Sequence, residues 1–411
     1  MAADSTYLIV GASLAGAKAA QTLRDNGFDG PVVLVGDESE RPYKRPPLSK
    51  EYLLGNAERE KIYVHPPTWY ADHDVDLRLE TAVTGIDPAA HEVTLADGER
   101  IGYAKLLLTT GSSPRRLSVP GADPDQVLYL RRVADSDRIK ETFTSVSRIV
   151  VIGGGWIGLE TAAAARTAGV EVTVLEMAEL PLLGVLGPEV AEVFANLHRE
   201  NGVDLRTGVQ VTEITSLSGE VSGVRLTDGS HVGAEAIIVG VGATPNISLA
   251  RAAGLDVDNG VRVDARLQSS DPDIYAAGDV ANAFHPLLGK HIRVEHWANA
   301  RYQSVAAAKA MLGQDVAYDR IPFFYTDQYN LGMEYFGHAQ PGQYDEVVFR
   351  GHVDAREFVA FWLAGDRVLA GMHVNQWDLT PQVRDLVQSG RPVDNHKLAD
   401  PQVPLDELIG T

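Results

Sequence analysis

The feature that most constrains this chain is a pattern it carries twice. A β-branched apolar run, Tyr7-Leu8-Ile9-Val10, meets Gly11-Ala12-Ser13-Leu14-Ala15-Gly16. A helical stretch then runs to Gly27, and a second apolar run, Val32-Val33-Leu34-Val35, ends in Gly36-Asp37-Glu38. Further on, Ile149-Val150-Val151-Ile152 meets Gly153-Gly154-Gly155-Trp156-Ile157-Gly158, a helix carries Glu160 to Ala168, and Val170 to Leu175 ends in Glu176. Each copy is a strand, a glycine-rich turn, a helix, a second strand and an acid, the context in which a GxGxxG pattern signals a dinucleotide site. A further echo follows each copy. Asp97-Gly98 precedes Lys105 to Leu108, Gly111 and Pro114, while Asp228-Gly229 precedes Ala236 to Val239, Gly242 and Pro245. The offsets agree residue for residue, because 97 to 111 equals 228 to 242 and 97 to 114 equals 228 to 245. The chain therefore reads as two Rossmann-like dinucleotide-binding domains.

Each glycine has a job in such a unit. Gly11 and Gly153 permit the tight turn, and Gly16 and Gly158 let helix and strand approach closely. The turn aims backbone N–H groups, at the positive end of a helix, at a pyrophosphate. Ser13 stands where the middle glycine of the first copy is usual, so the first site is the less regular one; Gly155 fills that place in the second. The acid closing each second strand is expected to accept hydrogen bonds from an adenosine ribose. Glu176 would hold a 2′-hydroxyl and repel a 2′-phosphate. From Met177 to His198 no Lys or Arg is present to neutralise that phosphate, so NADH is expected over NADPH. The first site needs a cofactor of a different kind, since two mobile nicotinamides would do no evident chemistry. FAD is the natural reading, because it accepts a hydride and later releases single electrons. The run Asp273 to Asp279 supports it: a short strand ending in Gly278-Asp279 offers a carboxylate to the ribityl and phosphate region.

Composition then removes alternatives. At 411 residues the chain exceeds a single core and suits two or three domains. It contains no cysteine, which excludes disulfide scaffolds, iron–sulfur clusters on this chain and any cysteine redox relay. Its twelve histidines form no HxxxH or HxxEH pattern, so no metal site is expected. A net charge of −20 argues against nucleic acid as the main partner. No apolar run is long enough to cross a bilayer, and a strand beginning by Tyr7 leaves no room for a cleavable leader; cytoplasmic residence is the expectation.

Read together, Arg41 to Lys50, Leu107 to Gly111, Gly153 to Glu160, Tyr275 to Asp279 and Glu295 to Ala300 resemble the FAD- and NADH-dependent ferredoxin reductases, the family of the putidaredoxin reductases and the reductases of aromatic-ring dioxygenases. The resemblance spans essentially the whole chain. It implies an α/β fold of glutathione-reductase-like architecture with a C-terminal α+β domain. The FAD domain would comprise 1–114 and 246–321, the NAD domain 115–245 and the C-terminal domain 322–411; Phe358 to Leu363 and Gly365 to Val368 read as a hairpin within the last. Implied flavin contacts are Gly11, Ala15, Gly16, Asp37, Lys50, Val83, Arg131, Gly278, Asp279 and Trp297. Implied NAD contacts are Gly153, Gly155, Ile157, Gly158, Glu160, Glu176 and Gly242. Lys50 paired with Glu160 would be the catalytic couple, an ammonium that stabilises negative charge developing as the hydride arrives. Ala298 to Leu312 reads as a helix whose positive end faces the flavin.

The resemblance also implies the electron acceptor, a small acidic [2Fe–2S] ferredoxin serving a cytochrome P450 or a Rieske-type oxygenase. Arg41, Lys44, Arg45, Lys290, His291, Arg293 and Arg301 are expected to form a basic patch that steers it. Two other readings are an NADH oxidase or quinone or dye reductase, and a non-catalytic flavoprotein that responds to NADH. Two departures from the family pattern stand out. Phe323 and Tyr325 replace tryptophans, and Leu180 and Gly184 replace arginines that usually follow the Glu176 position.

Overall fold

The computed structural model describes residues 5–123 and 126–409. The chain divides into two compact units, one of Met1–Arg45, Glu58–Ser113 and Ala243–Arg320, the other of Pro46–Ala57, Pro114–Gly242 and Ile321–Thr411.

The first unit is built on a five-stranded parallel sheet. Its order is Ile274–Ala276, Lys105–Leu108, Tyr7–Val10, Val32–Val35, Val75–Arg78. The strands are nearly continuous in apolar residues because a parallel sheet is covered on both faces, and all four residues of Val32–Val35 are buried. Helix Leu14–Asp25 packs on the sheet and against helix Trp297–Met311. The second helix starts one residue earlier than the sequence suggests, with His296 as its cap. An antiparallel meander, Val83–Asp87, Glu92–Leu95 and Arg100–Gly102, stands between the third and fourth strands of the chain order.

The second unit repeats this plan. Its parallel sheet runs Val127–Leu128, Ala236–Val239, Arg148–Ile152, Glu171–Leu175, Asp204–Arg206. In both sheets the strand that opens the glycine-rich turn is central. The strand closing in an acid lies on one side, and the strand that follows the Asp-Gly pair lies on the other. A meander of Val211–Leu217, Glu220–Leu226 and His231–Gly233 matches the first one. The repeat seen in the sequence is thus a repeat of strand order.

The second unit also holds a five-stranded antiparallel sheet, ordered Phe323–Gln328, Leu331–Gly337, Arg367–Val374, Glu357–Ala364, Glu346–His352. The expected hairpin is its fourth and third strands, turned at Gly365-Asp366. Helices Thr380–Ser389, Asn395–Ala399 and Leu405–Ile409 accompany it. Phe361, Leu363, Val383 and Leu386 share one core. Segment Pro46–Ala57, assigned on sequence to the same domain as Gly11, packs within this unit. The Ser136 hydroxyl donates to the Leu48 carbonyl at 2.8 Å and the Tyr52 hydroxyl to Asp137 at 2.6 Å.

Candidate functional site

In the first unit the turn after Tyr7–Val10 opens a cleft of about 460 Å³. Gly11, Ser13, Asp37, Arg45, Val83 and Asn246 are among the residues that line it. The shape depends on close approach. A methyl group at Gly16 would stand 2.2 Å from the Gly11 carbonyl oxygen and 2.8 Å from a Leu34 methyl. Ser13 caps helix Leu14–Asp25 without a side-chain hydrogen bond, which leaves first-turn N–H groups for an anion. Gly278 reaches the same helix: a methyl there would lie 3.5 Å from the Ala15 Cβ. Its N–H donates to Gln303 Oε1 at 2.9 Å, and Asp279 Oδ2 accepts from the Ser112 hydroxyl at 2.9 Å. Arg45 pairs with Glu38 at 3.0 Å, and Glu38 also accepts from the Tyr43 hydroxyl at 2.5 Å. The unit thus brings together Gly11, Asp37 and Val83 on one cleft, with Ala15, Gly16 and Gly278 packed behind the turn. A glycine turn, a helix N-terminus and an acid at the second strand end fit an adenine dinucleotide. Trp297 lies at the start of helix Trp297–Met311, with the Arg301 guanidinium 5.2 Å from its ring.

The second unit forms a more regular cradle. A methyl at Gly158 would stand 2.0 Å from the Gly153 carbonyl oxygen, whereas one at Gly155 would meet nothing closer than the Gly240 oxygen at 3.9 Å. The third glycine is therefore required by packing, and the middle one leaves open space on the side where a pyrophosphate approaches. Glu176 spans the turn: Oε2 accepts from the Gly154 N–H at 2.5 Å and Oε1 from the Ala178 N–H at 2.7 Å. Those bonds fix a carboxylate beside the cradle with lone pairs to spare, as a ribose diol needs. Ile157 is 41% exposed at the first turn of the helix. Gly242 lies beside Arg115, whose Cδ would be 3.7 Å from a methyl there. Residues and space fit a nicotinamide dinucleotide.

On the fingerprint helix of this unit sits a buried ion pair. Lys50 Nζ meets Glu160 Oε1 at 2.8 Å, with the two side chains only 9% and 4% exposed. Glu160 accepts two further bonds, from the Ser49 hydroxyl on Oε2 and from the Thr326 hydroxyl on Oε1 at 2.6 Å. Three donors on one carboxylate offset the cost of burying its charge. The Lys50 ammonium also lies 5.5 Å from the centre of the Tyr325 ring. Burial pushes the Asp327 carboxyl above its ordinary value, with Lys50 pulling the other way. Arg131, the other flavin contact implied in this unit, precedes helix Val133–Ser145, and its N–H donates to Asp135 at 2.9 Å.

Three cations of the expected basic patch have acidic partners. Arg41 pairs with Glu60 at 2.6 Å, Arg45 with Glu38, and Arg293 with Glu295. Burial and the nearby Arg262 charge lower His291 below the usual imidazole value, so it is neutral at neutral pH. A smaller cluster remains around Lys18, where burial and the charges of Arg301 and Lys44 lower the ammonium pKa. Sequence reasoning missed Lys18, Ser49 and Thr326. The last directly follows Tyr325, one of the two aromatics that replace tryptophans.

Residues 5–304 match the family model described as pyridine nucleotide-disulphide oxidoreductase, and residues 323–409 match that described as reductase C-terminal. The chain is 39% identical to putidaredoxin reductase CamA of Pseudomonas putida, over 100% of this chain and 98% of that protein. It is 40% identical to the ferredoxin–NAD(+) reductase component of the anthranilate 1,2-dioxygenase system of Burkholderia cepacia, over 100% of both. The solved covalent complex of putidaredoxin reductase with putidaredoxin superposes with a TM-score of 0.95 at 38% identity, covering 99% of this chain and 98% of that one.

Proposed function

This chain belongs to the pyridine nucleotide-disulphide oxidoreductase family, in the branch with a reductase C-terminal domain, and we propose that it is a ferredoxin–NAD(+) reductase. Electrons pass from NADH through FAD to a [2Fe–2S] ferredoxin in a system that feeds a P450 or Rieske-type oxygenase. The observation that carries this reading is a pair of phosphate cradles in a chain with no cysteine. Thiol-relayed reduction of a disulfide or peroxide has no residue to use. The curated relatives are named as a putidaredoxin reductase and as the ferredoxin–NAD(+) reductase component of a dioxygenase system.

When bound, FAD supplies a two-electron acceptor that can be discharged one electron at a time. In the first unit Gly11, Ala15, Gly16, Asp37, Val83, Gly278, Asp279 and Trp297 are the residues to hold it. The part of Lys50 and Arg131 rests on the family resemblance. In the second unit Gly153, Gly155, Ile157, Gly158 and Gly242 would cradle NADH, and Glu176 would bind its ribose and repel a 2′-phosphate. Glu160 holds the Lys50 ammonium in place, and that fixed cation would stabilise negative charge arriving with the hydride. Because the donors are already oriented, little reorganisation is needed during the step. Among the described residues no helix is long and apolar enough to cross a membrane, and we place the protein in the cytoplasm.

Cytochrome c reduction by NADH, with and without added [2Fe–2S] ferredoxin, tests the choice of acceptor. Turnover that depends on the ferredoxin supports the reading. Rapid oxygen consumption that ignores ferredoxin would make the protein an oxidase, and binding of NADH without turnover would make it a sensor.

A further inference from the structure

Three polar side chains lie in the core of the second unit where apolar ones would be cheaper. Thr326, Gln328 and His198 are no more than 1% exposed. They are not scattered. Strand Phe323–Gln328 is at the edge of its sheet and packs on the fingerprint helix Trp156–Thr167. Alternate residues of the strand share a face, and residues four apart share a face of the helix. Accordingly Phe324 meets the Trp156 ring at 5.1 Å, and Thr326, two residues on, meets Glu160, four residues on. Gln328, the next on that face, meets His198 of helix Pro188–Glu200.

The bonds form one line with one direction. His198 Nε2 donates to Gln328 Oε1 at 2.8 Å, Gln328 Nε2 donates to Thr326 Oγ1 at 3.2 Å, and the Thr326 hydroxyl donates to Glu160 Oε1 at 2.6 Å. Burial holds His198 near 4, so it is neutral and brings no charge to the line. Its Nδ1 has no hydrogen-bond partner among the described residues, so the histidine spends its polarity on Gln328 alone. Each donor polarises the next, and all of them point at the carboxylate that holds Lys50. A half-satisfied polar line is costly in a core; one that ends on a charge is repaid there.

We propose that Thr326, backed by Gln328 and His198, is the positioning residue that holds the Glu160 carboxylate and through it Lys50, making the edge strand of the C-terminal sheet part of the hydride-transfer machinery. This rests on the reading of Lys50 and Glu160 given above. Thr326→Val keeps shape and removes the hydroxyl, while Thr326→Ser restores it.

Two measurements on the FAD-loaded protein test the proposal. In the first, the Glu160 carboxylate ¹³C resonance, assigned by its loss in Glu160→Gln, should move in Thr326→Val and return in Thr326→Ser. In the second, anaerobic stopped-flow bleaching by NADH should slow by about tenfold or more in Thr326→Val at saturating NADH. Thr326→Ser should stay near the parent rate and thermal midpoint; Thr326→Val, which strands the Gln328 Nε2 donor, should melt lower, with NADH affinity little changed in both. An unmoved resonance, or a Thr326→Val protein that bleaches at the parent rate, overturns the proposal and leaves the hydride reading intact. A parent protein that NADH does not bleach defeats the hydride reading and the proposed consequence with it, whereas the resonance still reports whether Thr326 holds Glu160.

Discussion

At the scale of single residues, the balance at Glu160 decides what a substitution does. The carboxylate is 4% exposed and accepts from Lys50, Ser49 and Thr326. Glu160→Gln would leave the Lys50 ammonium buried against a neutral amide, and breaking such a pair costs about 3–5 kcal/mol. Chemical denaturation of the FAD-loaded protein should show a loss of that order. Glu176 poses a different test, because it is tied to the cradle through the Gly154 and Ala178 N–H groups. Glu176→Ala should raise the KM for NADH roughly tenfold, equivalent to about 1.4 kcal/mol of lost binding, and should narrow the preference over NADPH in steady-state assays. His198 sets a pH dependence. It is held near 4 when folded and returns to about 6.5 when unfolded. As pH falls from about 6.5 to about 4 the unfolded chain takes up a proton that the folded one refuses, so stability declines, by up to about 3 kcal/mol. His65, also held near 4 by burial, titrates with the same sign. His198→Gln should therefore flatten the decline in urea-derived stability without abolishing it. Gly16, Gly158 and Glu176 were legible in the sequence because a fingerprint is local. The Lys50–Glu160 contact joins residues 110 apart and the Thr326–Glu160 contact residues 166 apart, so no local pattern reveals either; resemblance alone pointed to the first, and nothing pointed to the second.

At the scale of elements, the two strand–turn–helix units have the same topology but unequal tolerance within one turn. Gly155 and Gly158 sit in the same loop and helix start, yet a methyl has open space at the first and stands 2.0 Å from a carbonyl oxygen at the second. Gly158→Ala should therefore destabilise the fold and abolish NADH binding together. Gly155→Ala should leave the thermal midpoint near the parent value and still weaken NADH, because the methyl intrudes where the phosphates approach; paired melting and titration curves separate the two. The parallel strands were readable because apolar runs recur at matched offsets, and the final hairpin because two apolar runs flank Gly365-Asp366; the antiparallel meanders were not read. The packing of Phe323–Gln328 on the fingerprint helix was not. An edge strand of alternating residues does not announce its neighbour, and Trp156, Phe324 and Thr326 find their roles only once that face is formed.

Across the whole molecule, the net charge of −20 would repel an acidic partner at long range. What can attract one is local, and the ion pairs of Arg41, Arg45 and Arg293 leave the Lys18, Lys44 and Arg301 cluster as the stronger candidate. Ferredoxin-dependent turnover should fall as salt rises, and Lys44→Glu should raise the KM for ferredoxin while leaving NADH-driven flavin reduction unchanged. The sequence shows which cations cluster along the chain, Lys44 and Arg301 among them, and not which acids fold onto Arg41, Arg45 and Arg293. The proposed activity requires that one cradle hold a yellow cofactor and the other deliver a hydride to it. Anaerobic titration of the FAD-loaded protein with NADH measures that directly. Loss of the flavin absorbance at about one equivalent of NADH is the result expected; a protein that takes up no flavin, or whose absorbance is indifferent to NADH, contradicts it.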